Sequence, residues 1–133
     1  MNPTPAPLTD DLVAIRSVLD EYCLRLEVDS FEHWLELFTD DTIYEVFGKT
    51  ADGKQAMAAL LSKAPHGLHI GGAARIQIDG DEAMTIQNYT FAANNPKYSN
   101  NGWYHRKLVK RAGQWKIAHT IVKLQMREDP PSA

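Results

Sequence analysis

The chain has 133 residues, with 44% hydrophobic and 23% charged side chains and a net charge of −3, a composition that fits one globular domain and excludes disorder. No apolar run approaches the roughly 20 residues needed to cross a bilayer, so no membrane partner is expected. Of its 17 acidic residues, 15 lie in residues 1–82, and none lies between Ala83 and Arg127, where there are eight basic residues. Those basic residues are spread through strand patterns and not clustered, which argues against a nucleic-acid partner.

Residues 1–8 carry Pro3, Pro5 and Pro7 and read as a flexible leader without a secretory signal. Thr9 is placed to cap a first helix over 9–28, with Asp10 and Asp11 in its opening turn. Leu12, Ile15, Val18, Leu19, Tyr22, Cys23 and Leu26 follow helical spacing on one side. Cys23 is the only cysteine, so no intrachain disulfide forms, and a reducing, cytoplasmic setting is expected. Ser30 is placed to cap a second helix over 30–38, burying Phe31, Trp34, Leu35 and Phe38. Asp40-Asp41 ends it, 42–48 reads as a strand, and 53–63 as a third helix.

From residue 67 onward the hydrophobic period changes from helical to two. Four antiparallel strands follow, with a hairpin signal at Asp79-Gly80-Asp81, a turn-rich loop over 94–102 and a turn at Ala112-Gly113. Gly71-Gly72 inside the first of these strands predicts a bulge or sharp curvature. Residues 128–133 read as a frayed tail, leaving 9–127 as the single domain. The fold class is therefore α+β: a strongly bent antiparallel sheet forming a cone, with about three helices closing a central pocket.

Two segments, YCLRLEVDSFEHWLELFTDDTIYEV (22–46) and WYHRKLVKRAGQWKIAHTIVKL (103–124), together with LHIGGAARI (68–76), resemble SnoaL-like proteins of the nuclear-transport-factor-type superfamily. They are similar both to scytalone-dehydratase-like proteins and to β subunits of aromatic-ring-hydroxylating dioxygenases. The resemblance implies a carboxylate late in the first helix and a histidine on a sheet strand, which fall on Glu27 and His69. Glu stands where the family usually has Asp, a second pocket histidine aligns near Asn94, and two water-positioning tyrosines align with Leu26 and Val46.

A carboxylate bonded to one imidazole nitrogen makes the other a better base, so the pair implies acid–base catalysis without a cofactor. The expected contact keeps Glu27 ionised and raises the basicity of His69. The expected reaction is a lyase or isomerase step (dehydration, hydration, cyclisation or isomerisation) on a small apolar, aromatic, polyketide-like or steroid-like compound. The alternative is a non-catalytic binding or assembly subunit. Tyr22, Tyr44, Asn88, Tyr89, Asn94 and Tyr104 are candidate substrate-binding residues, with Tyr104 and Asn88 preferred from strand parity.

No metal is expected. His66 and His69 are three apart, a spacing that sends two rings to opposite faces of an extended strand, and neither has a carboxylate or Cys nearby in sequence. The absence of glycine-rich phosphate loops and nucleophile elbows argues against nucleotide and acyl-enzyme chemistry. The last strands carry Trp103, Trp115, Ile117, Ile121, Val122 and Leu124, too many for one small domain to bury. The outer sheet face is accordingly expected to pair in a homodimer.

Overall fold

The computed structural model describes residues 6–94 and 98–128. Helix α1 (Ala6–Val28) and the short α2 (Phe31–Leu35) precede strands β1 (Phe38–Val46) and β2 (Lys49–Asp52). Helix α3 (Lys54–Leu61) is followed by β3 (Gly67–Asp79), β4 (Glu82–Ala93), β5 (Ser99–Arg111) and β6 (Gln114–Glu128). The strands form one open sheet in the order β2-β1-β6-β5-β4-β3. Every neighbouring pair is antiparallel except β1 and β6, which run parallel. The α+β architecture is as the sequence predicts, with that one parallel pair as a correction.

Several boundaries differ. Helix α1 begins at Ala6, so Thr9 lies inside it and is not its cap; Pro7 sits in the opening turn, where its missing N–H breaks no intrahelical bond. Most of the expected leader and tail lies outside the described residues. Ser30 does cap α2, its Oγ accepting from the His33 backbone N at 3.1 Å. That helix ends at Leu35, however, and Phe38 opens β1, which contains Asp40 and Asp41. Strand β2 was not anticipated, and β5 begins at Ser99, shortening the expected loop.

The core fills the space between the helices and the concave sheet face. Trp34, fully enclosed, packs against Tyr22 and Phe38 at ring-centroid distances of 5.3 and 4.7 Å and donates its indole N–H to the Tyr22 carbonyl at 2.9 Å. Asp11 ties α1 to the β5–β6 hairpin, accepting from Trp115 Nε1 at 2.9 Å and Lys110 Nζ at 3.1 Å. These bonds hold its carboxyl below the usual range, the Trp115 bond having the larger effect.

The sheet bends where β3 and β4 lose register between Gly71 and Ala74, as the glycine pair predicts. A Cβ on Gly71 would stand 2.6 Å from Gln87 Nε2 and 3.2 Å from Cys23 Sγ, so only glycine lets α1 settle this close to the bend. The Ala112-Gly113 hairpin has φ of 52° and 78°, the left-handed pair of a type I′ turn. Ala112→Asn should therefore relieve strain and stabilise the fold by on the order of 1 kcal/mol, read as a raised unfolding midpoint in urea.

Candidate functional site

Strand alternation puts Ala83, Thr85, Gln87, Tyr89 and Phe91 of β4 on the concave face, and Tyr104, Arg106 and Leu108 of β5 beside them. Between this face and the end of α1 lies a cavity of about 450 Å³. All five tyrosines of the chain, Tyr22, Tyr44, Tyr89, Tyr98 and Tyr104, line it, together with His69, Phe91, Asn100 and Arg127. A second lobe of about 220 Å³ shares Tyr22, Tyr44 and His69 and continues past Leu26, Trp34 and His66. The volumes are those of small-molecule sites. No Asp or Glu is among the described lining residues of either lobe.

Two hydrogen-bonded groups punctuate the aromatic wall. The Tyr22 and Tyr44 hydroxyls meet at 2.5 Å. Tyr89 donates to Asn100 Oδ1 at 2.5 Å, and Asn100 Nδ2 donates to the Tyr98 hydroxyl at 2.8 Å. Tyr89 and Tyr104 stack with centroids 4.2 Å apart. Burial pushes the Tyr22, Tyr44 and Tyr104 phenols above their ordinary range, so all three stay protonated at neutral pH and can donate hydrogen bonds.

His69 sits opposite Phe91 in the β3–β4 ladder, its ring 4.6 Å from that phenyl. Its Nδ1 is buried without a hydrogen-bond partner. Burial lowers its pKa from 6.5 to about 4, opposed in part by the Gly67 backbone. The imidazole is therefore neutral at physiological pH.

Behind the tyrosines lies Arg106, which is fully buried. Its guanidinium carbon stands 4.1 Å from the ring centroids of both Tyr22 and Tyr104. Nη1 donates to Gln87 Oε1 at 3.0 Å, while Nε and Nη2 have no partner. Gln87 in turn donates to the Gly72 carbonyl at 3.4 Å, tying the cation to the bend of β3. Cys23 is a buried core thiol, as expected, and burial raises its pKa against the pull of Arg106.

Of the residues singled out from sequence, Tyr22, Tyr44, Tyr104 and His69 reach the cavity, and three do not. Glu27 is exposed and lines neither lobe, because it falls beyond the buried side of α1 marked by Tyr22 and Cys23. Its expected contact with His69 is absent from the described hydrogen bonds, and desolvation lowers the basicity of His69 where the dyad called for an increase. Asn88 is on the opposite sheet face from Tyr89, its Oδ1 beside Gly72. Asn94 is exposed at the end of β4, where its backbone N–H bonds the His66 carbonyl at 2.9 Å. Tyr89, also a candidate from sequence, lines the cavity, whereas Arg106 and Phe91 were missed, although their parity with Tyr104 and Gln87 marks them as inward-facing. Contrary to the spacing argument, His66 and His69 line the same lobe, since His66 precedes β3.

Residues 8–121 match the model of the SnoaL-like domain. The chain belongs to the SnoaL-like family. No curated protein matches this SnoaL-like domain in sequence. Among solved structures it is similar to a protein of unknown function from Mycobacterium tuberculosis, at 23% identity and a TM-score of 0.79, covering 92% of this chain and 76% of the other. It is also similar to a provisionally assigned scytalone dehydratase from Novosphingobium aromaticivorans, at 19% identity and a TM-score of 0.85, covering 98% and 94%. The β subunit of a provisionally assigned aromatic-ring-hydroxylating dioxygenase from the same organism matches at 22% identity and a TM-score of 0.75, covering 90% and 92%. At these identities the likeness establishes the fold and leaves the activity to the site.

His69 also makes this SnoaL-like domain sensitive to acid. In the unfolded chain it protonates near pH 6.5, and in the fold only near 4, so stability drains away as pH falls from 6.5 to 4 and this loss is complete below it. His69→Leu should lose up to about 3 kcal/mol less than the parent between pH 7 and pH 4, measured by urea unfolding at both.

Proposed function

We propose that this SnoaL-like domain is a cofactor-independent enzyme that moves a proton on a small, largely apolar, aromatic compound. The reaction class is elimination, hydration, isomerisation or cyclisation. The observation that supports this reading is a neutral, partly buried imidazole on the wall of an apolar cavity that also holds a pair of protonated phenols. In the Tyr22–Tyr44 pair one hydroxyl donates to the other, and the one whose proton is left free donates to a substrate oxygen, which acidifies the neighbouring C–H, and His69 accepts that proton. A base with a pKa of about 4 is weak, so the donor pair is essential to the reading. Glu27 has no part in it.

A second reading, a binding or assembly subunit without catalysis, draws support from the same lack of a carboxylate beside His69. Deuterium exchange α to the carbonyl of 2-tetralone, followed by NMR, separates the two. His69→Ala should slow exchange about 10²–10⁴-fold while leaving binding intact, and Glu27→Gln should leave the rate nearly unchanged. Equal exchange with parent and His69→Ala would favour the non-catalytic subunit.

We further propose that the convex sheet face pairs with a second copy. Leu68, Ile70, Met84 and Trp103 are all exposed there, a concentration of apolar surface unusual for a monomer. Light scattering at micromolar concentration should give the mass of a dimer, and Trp103→Lys should shift it to monomer.

A further inference from the structure

We propose that the cavity selects aromatic compounds as their oxyanions, phenolates or enolates, seating the charged oxygen at the Tyr22–Tyr44 hydroxyl pair with Arg106 as a positioning cation behind it. The proposal rests on the small-molecule reading of the pocket and names the charge state and class of what enters it.

The argument begins with a cation that lacks a counter-ion. Arg106 is fully enclosed, and among the described residues no carboxylate bonds to it. The groups recorded against it are the rings of Tyr22 and Tyr104, the Gln87 amide and, through its field, the Cys23 thiol. Among the described residues, Nε and Nη2 have no hydrogen-bond partner of good geometry, and the polar group nearest to offering one is the Tyr22 phenol. Burying a charge in this way is costly unless another group compensates it. Two aromatic faces and one amide offset part of that cost and leave its positive field largely intact.

That field reaches the cavity through the Tyr22 ring. Tyr22 lies between Arg106 and both lobes, and its hydroxyl is bonded to that of Tyr44. Arg106 favours negative charge on both phenols, although burial still keeps them protonated. The result is a linked pair of phenols with one free O–H to donate, a fixed cation behind them and no acid on the described lining. A neutral ligand gains little from such a field in a site of low dielectric, whereas an anionic oxygen gains much more. The ring that carries this oxygen fits the stacked Tyr89–Tyr104 wall.

The probes are 4-nitrophenol, whose bound anion is visible by absorbance, and 4-nitroanisole, which has the same ring and cannot ionise. In the parent protein, the apparent pKa of bound 4-nitrophenol should fall by about one unit or more, a ten-fold preference for the anion. His69 is neutral across the titration from pH 5.5 to 9 and does not contribute. Arg106→Met keeps the bulk and removes the charge, a change that buried sites commonly tolerate, and should abolish the shift. Arg106→Lys should retain most of it. Arg127, which lines the cavity directly, is the control, and Arg127→Gln should change the preference less than Arg106→Met does. Tyr22→Phe and Tyr44→Phe keep both rings and should each weaken the preference, a readout that stands even if the arginine variants fail to fold. An unshifted pKa in the parent, or an undiminished shift in Arg106→Met, overturns the oxyanion proposal while the pocket reading stands. Binding of neither probe overturns both.

Discussion

A guanidinium without a carboxylate can remain inside a protein only if its surroundings are built around it, and much of this site follows from that constraint. Arg106 enters from the inner face of β5 because strand alternation leaves it no other direction. Tyr104, two residues before it on the same strand, supplies one aromatic face, and Tyr22 of α1 supplies the other. Gln87, across the β4–β5 ladder, takes one of its protons. The helix, two strands and the bend of β3 are thus fixed relative to one another by one cation, and the cavity's tyrosine wall is the other side of that arrangement.

The bend matters as much as the charge. Because Gly71 has no side chain, Cys23 can approach the strand and α1 can lie across the concave face. The same curvature turns His69 inward beside Phe91, while Ile70, its neighbour, faces out. A flatter sheet would bury more apolar surface directly under the helix and leave no hollow. The cavity is the space that a curved sheet and a straight helix fail to fill between them.

Most of this was legible in the sequence where a periodic pattern was long. The 13-residue β3, 12-residue β4 and 13-residue β5 give alternation that is hard to mistake, and the two turns read from sequence carry glycine, Gly80 and Gly113, in its left-handed conformation. The boundary between α2 and β1 was not legible, because Trp34, Leu35 and Phe38 satisfy helical spacing and are also apolar enough for a strand. Strand β2 is four residues, three of them polar, held by pairing with β1 and not by its own pattern. In the site, family register located His69 but placed Glu27 on the wrong side of its helix, since one step of 100° separates the stripe from solvent. Asn88 was misplaced by one residue of strand parity. Arg106 was passed over because a charged residue in an alternating run is usually assigned to the solvated face. Its neighbours Tyr104 and Leu108 argued otherwise.

The parallel pairing of β1 with β6 has a consequence for how the molecule reaches this state. Strand β6 lies at the centre of the sheet, between β1 and β5, yet it is the last of the six in chain order. Its Thr120 pairs with Tyr44 of β1, more than half the chain away, so the contact closes a long loop and raises the contact order. The three hairpin-linked strands β3, β4 and β5 can assemble locally, whereas β1 and β2 have no sheet to join until β6 is in place. On the ribosome, the N-terminal helices and the β1–β2 hairpin would therefore wait for β6 to emerge, with the other edge of β1 unpaired and aggregation-prone. This topology makes the domain's vulnerable interval the time before its central strand exists.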